Sequence, residues 1–180
     1  MFTKTELSKI EFINAMRDLW LEHVCLTKKF IIESVKNVDN SIIVNLLMAN
    51  QENIGNLIKP YYGEVAGEEL TRLLKEHITI TADIVTIAMQ HKSINYLVNT
   101  WEKNAKDISK FLSNVNSFIK YDDIYDMLTK HLRLTLHEVT SFIKVDFVEG
   151  CEIFHKQVIP QVVGMADILS DSIIKQFNIK

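Results

Sequence analysis

The stretch LLKEHITITADIV, Leu73 to Val85, decides the fold. Leu70, Leu73, Leu74, Ile78, Ile84 and Val85 recur at three- and four-residue spacing, the period of a helix rather than a strand. His77 and Thr81 fall on that apolar side, one turn apart. A buried imidazole and hydroxyl each need a partner, because stranding either costs about 1–3 kcal/mol.

Two further stretches align with this one without gaps: LWLEHVCLTKKFI (Leu19 to Ile31) and MLTKHLRLTLHEV (Met127 to Val139). His23, His77 and His131 stand in register, followed by Thr27, Thr81 and Thr135, and the spacing is constant: 77 − 23 = 54 and 131 − 77 = 54. The same offset pairs Asn50 with Asn104, Asn53 with Asp107 and Ile54 with Ile108. A weaker match of MADIL (Met165 to Leu169) places Asp167 beside Asp107. Such a period predicts a helical hairpin used three times.

Outward from these stretches, apolar residues keep the helical period nearly everywhere, and only five glycines and two prolines interrupt it. Breaker clusters fall at Lys36 to Ser41, Lys59 to Gly67, Gln90 to Asn95, Asn114 to Asp123 and Phe147 to Cys151. Five breakers predict six helices in one domain, 1–180: an all-α, antiparallel up-and-down bundle. Asp122 or Asp123 is the expected N-cap of the fifth helix, and Pro160 with Gly164 is expected to kink the sixth without ending it.

Composition bounds the function. With 180 residues, 47% hydrophobic and 24% charged, the chain has the make-up of a soluble globular domain. A formal net charge of −3 with interspersed signs offers no basic stripe for nucleic acid and no polybasic arm for a membrane. No apolar run approaches the roughly 20 residues of a membrane span, and MFTKTELSKIEF lacks the apolar stretch of a signal peptide. The expected location is cytoplasmic. Cys25 and Cys151 stand apart with no metal spacing, which fits a reducing compartment and a packing role.

Residues equidistant from a shared turn lie level in two antiparallel helices of equal rise. The midpoints of His23/Asn53, Asn53/His77, His77/Asp107, Asp107/His131 and His131/Asp167 all fall in the five breaker clusters. His23, His77, His131, Asp107 and Asp167, with Asn53, are therefore expected in one layer, and Glu138 is expected nearby on the apolar stripe, two turns beyond His131, where it could reach a metal or pair with a base. Three readings of that layer stay open. Histidines and aspartates are a ligand set for one divalent ion, Fe, Mn or Zn, and facing helices of a bundle are where such sites are built. The same residues can instead be a hydrogen-bond network that fixes register among similar hairpins, or they can line a small-molecule pocket. Under the second reading the protein is a structural or interaction module, and a homo-oligomer is left open.

Catalytic signatures are sparse, and the expectation leans away from an enzyme. The residues three before the histidines are Trp20, Leu74 and Leu128, not the glutamates of a di-iron bundle. No glycine-rich phosphate loop and no Ser or Cys with a His/Asp neighbour occurs. Glu22 and Glu76 point about 100° away from their histidines. His91 and His137 read as surface residues, His155 as an inner residue of another layer, and Trp20 and Trp101 as core.

LWLEHVCLT, LLKEHITIT, NAKDIS, HLRLTLHE and the C-terminal GMADILSDSIIKQF resemble a group of short all-helical proteins of bacilli and clostridia of unknown function, over nearly the whole chain. Some of that group are labelled acetylglutamate kinase. No kinase signature supports that label here, since such a kinase needs an α/β sheet and a glycine-rich nucleotide site. A looser resemblance runs to two-domain ferritin-like bacterial proteins with a FWxxHxxxH helix whose histidines bind metal. Thr27, Thr81 and Thr135 stand at the second position of that pattern, which implies a single-metal site rather than a di-metal one.

Overall fold

The computed structural model describes residues 7–180. Part of the N-terminal stretch read for a signal peptide lies outside the described residues. Helices α1 (Lys9–Val35), α2 (Ser41–Tyr62), α3 (Glu64–Met89), α4 (Asn95–Val115) and α5 (Tyr121–Ile143) are followed by α6 (Phe147–Ile153), a π-helical segment (Phe154–Val158) and α7 (Ile159–Phe177). No strand occurs among the described residues. The molecule is an all-α bundle: consecutive helices pack side by side, α7 returns against α1, and α1, α3 and α5 also touch one another. No described helix is long and apolar enough to cross a membrane.

The turns are tighter than the breaker clusters suggest. Between α2 and α3 the chain reverses at Gly63 alone, whose φ of 85° only glycine adopts at no steric cost. Pro60 and Gly67 lie inside the flanking helices. Gly67 and Gly55 let α2 and α3 cross closely, since a Cβ on Gly55 would sit 2.5 Å from the Gly67 carbonyl oxygen. The N-cap of α5 is Lys120, and Asp122 and Asp123 instead occupy the first turn, where their charge favours the helix dipole. The last reversal falls at Lys144 to Asp146, so the expected breaker at Phe147 to Cys151 is helix α6.

Pro160 and Gly164 lie within α7 and do not end it, and a π-helical distortion precedes Pro160. Proline has no N–H for the carbonyl four residues back and its ring crowds that carbonyl. The preceding turn widens: Ile159 N–H bonds to Phe154 O, five residues back, and the helix continues unbroken into α7.

Helices α1, α3 and α5 end alike. Asn37, His91 and Val145 each adopt positive φ, of 54°, 56° and 63°. Each is followed by the same pair of closing bonds: Asn37 N–H to Ser34 O with Val38 N–H to Glu33 O, then His91 to Ala88 with Lys92 to Ile87, then Val145 to Phe142 with Asp146 to Ser141. These are left-handed helix caps that satisfy the last carbonyls.

Candidate functional site: a layer of three histidines

His23 on α1, His77 on α3 and His131 on α5 are all buried. Their rings meet at the centre of the bundle, with His131 lying 5.9 Å from His23 and 6.2 Å from His77 between ring centroids. The three helices present them because Trp20 and Val24, Leu73 and Leu74, and Leu128 and Leu132 drive the same faces inward. Each threonine one turn on donates to its own histidine's carbonyl: Thr27 at 2.8 Å, Thr81 at 2.8 Å and Thr135 at 3.0 Å. The hydroxyls are thus satisfied within their own helices.

The imidazoles are held by amide side chains from a neighbouring helix. Asn104 Nδ2 donates to Leu73 O at 3.0 Å, which fixes its amide orientation and leaves Oδ1 facing His77 Nδ1 at 3.0 Å. An acceptor there requires the proton on Nδ1. His77 Nε2 is then the lone pair, and it accepts from Trp101 Nε1–H at 3.1 Å. Gln161 repeats this arrangement, with Nε2 donating to Met127 O at 3.1 Å and Oε1 facing His131 Nδ1 at 3.2 Å.

In the first hairpin two amides share the task. Asn50 Nδ2 donates to Leu19 O at 3.0 Å and to Glu22 Oε2 at 2.7 Å, while Gln51 Nε2 lies 3.2 Å from His23 Nδ1. Gln51 Nε2 also donates to Leu47 O and Asn50 Oδ1, which takes up both of its hydrogens, so its approach to His23 Nδ1 assigns no tautomer to that ring. Gln51 Oε1 is left buried with no partner.

Burial keeps all three rings neutral. His77 is pushed down to about 3 from 6.5, first by loss of solvent and then by the neighbouring His131. His23 is lowered by burial and by both other histidines, and His131 by burial, against a small opposing effect of Gln161. A charge placed on one ring would be felt by the others across a dry interior.

The expected carboxylates are elsewhere. Asp107 and Asn53 are exposed. Asp167 is half-buried and pairs with Arg17, Oδ1 accepting from Nε at 2.5 Å and Oδ2 from Nη2 at 2.9 Å. Equal rise sets height but not azimuth. The inward stripes run through Leu47, Asn50, Gln51, Ile54 and Ile58 on α2, through Trp101, Asn104, Ala105 and Ile108 on α4, and through Val162, Met165, Ala166 and Leu169 on α7. The three predicted residues sit beside those stripes. Glu138 is buried two turns beyond His131, as expected, whereas His155 is exposed rather than inner. Sequence reasoning missed Gln51, Trp101 as a donor, and Gln161. Asn50 and Asn104 carried a usable signal, being polar residues on apolar stripes at the 54-residue offset; Gln161 lies 161 − 104 = 57 beyond Asn104 and carried none.

The donor set as built does not fit a divalent ion. The His77 lone pair is taken by Trp101, and no carboxylate joins the layer. Among the described residues no group of three or more His, Cys, Asp and Glu is arranged to hold a metal. No family model matches the chain, and no curated protein or solved structure matches it either.

Proposed function

We propose that this protein is a non-enzymatic helical-bundle module, structural or protein-binding, in which the histidine layer sets the register of three hairpins repeated every 54 residues. Near-identical hairpins have several ways to pair, and a buried polar contact that only one register satisfies removes the others. The observation that carries this reading is that every imidazole Nδ1 meets an amide of a neighbouring helix: Gln51 on α2, Asn104 on α4 and Gln161 on α7. Recurring helix caps at Asn37, His91 and Val145, and the amide bonds to the carbonyls of Leu19, Leu73 and Met127, support the repeat: 91 − 37 = 54, 145 − 91 = 54, 73 − 19 = 54 and 127 − 73 = 54.

A second reading keeps one Fe, Mn or Zn ion on Nε2 of His23, His77 and His131. It is favoured by the amide hold on all three Nδ1 atoms, since metal-binding histidines are oriented through their other nitrogen. It requires Trp101 to withdraw from His77 Nε2. Elemental analysis of untagged protein and thermal melts with and without EDTA separate the two. The register reading predicts sub-stoichiometric metal and superimposable melts; a stoichiometric ion with a Tm lowered by chelator would overturn it.

A further inference from the structure

Away from the histidines, α1 meets α6 through an unusual pair. Lys28 is half-buried, and its Nζ lies 3.6 Å from Cys151 Sγ and 4.2 Å above the Phe154 ring centroid. Cys151 is in α6 and Phe154 opens the π-helical segment. Among the described residues no ion pair to a carboxylate is formed by Lys28. The buried acid that senses its charge is Glu138, whose Oε1 has no hydrogen-bond partner. Burial pushes Glu138 up to about 8, with Lys28 opposing, so near neutral pH the acid is mostly protonated and leaves the amine to its soft neighbours. Cys151 also lines an open surface groove with Phe147, Val148, Glu152, His155 and Lys156, which gives a small oxidant access to the sulfur.

We propose that Lys28 and Cys151 form an oxidant-driven covalent bridge, Nζ–O–Sγ, that fastens α1 to α6 at the start of the π-helical segment. With hydrogen peroxide as oxidant the atoms balance. One peroxide converts the thiol to a sulfenic acid and releases water. A second exchanges the sulfenic hydroxyl for a hydroperoxyl group and again releases water. The Lys28 amine, after giving up its ammonium proton to solvent, then attacks the oxygen bound to sulfur; the O–O bond breaks, and the departing hydroxide takes an amine proton to leave as a third water. Sulfur and nitrogen are each oxidised by two electrons, and two peroxides are reduced. The flexible lysine arm supplies the small closure from the resting N···S distance.

Cys25, one turn before Lys28, is the competing thiol. It is exposed, and burial of its remaining surface raises its pKa, with the Lys28 charge opposing. The full-length protein treated with hydrogen peroxide, digested and weighed tests the assignment. The expected product links the Lys28 and Cys151 peptides with a mass gain of one oxygen less two hydrogens, and dithiothreitol returns free thiol and amine. The oxidised protein should show a Tm higher by several degrees, lost again on reduction. Lys28→Arg and Cys151→Ser should abolish the link, and Cys25→Ser should retain it. A Cys25–Cys151 disulfide, or Cys151 sulfinic acid with no linked peptide in the wild-type protein, would overturn the proposal.

Discussion

Asn104 shows what the layer asks of a single side chain. Its amide donates to a backbone carbonyl of α3 and accepts from an imidazole of the same helix, so one residue joins α4 to α3 at two points. Asn104→Ala strands the His77 Nδ1–H in a dry interior and is expected to destabilise the fold by about 2–4 kcal/mol. Asp107→Ala, on the exposed side of the same helix, should change stability by less than about 0.5 kcal/mol. Urea denaturation of the two variants measures both; equal effects would show that Asn104 does not hold the layer. At this scale the histidines were legible, because a polar residue recurring on an apolar stripe at constant offset has few explanations. Their partners were not, because a heptad-like stripe is blurred by one position in either direction and one position on a helix is about 100°.

The helix ends carry their own test. Asn and His tolerate the left-handed cap that closes α1 and α3, but Val145 closes α5 in the same conformation with a β-branched side chain that clashes there. Its side chain is exposed. Val145→Asn is therefore expected to stabilise the protein by about 1 kcal/mol, read as a higher Tm in calorimetry; a neutral or lower Tm would mean the cap is not left-handed. Six helices could be read from the sequence because apolar period and breakers agree, if α6, the π-helical segment and α7 count as one. Turn positions were less legible. Prolines and glycines serve helix interiors here as well as turns: Gly55 and Gly67 permit a close crossing, and Pro60 lies in a last turn.

For the whole molecule, the buried ionisable groups set a pH optimum. Glu138 has a folded pKa of about 8 against 4.5, so the folded state holds its proton more tightly and stability rises as pH falls from about 8. The histidines act oppositely. Their folded values lie below 6.5, so below that pH the unfolded chain takes up protons that the folded state refuses, and stability falls. Each group contributes a slope of up to about 1.4 kcal/mol per pH unit, and three histidines outweigh one glutamate. Maximum stability is expected near pH 6.5. Melts across pH 4 to 9 should show it, with Glu138→Gln removing the decline on the alkaline side.

On the proposed reading, His23, His77 and His131 are neutral, amide-held structural residues. Long-range 1H–15N spectra of the imidazole nitrogens, recorded from about pH 5 to pH 8 with and without EDTA, test it most directly. Three rings that do not titrate in that range are expected, with the proton on Nδ1 in His77 and His131, and no change on adding chelator. A ring titrating near its ordinary value, or an Nε2 signal that moves when EDTA is added, would contradict it.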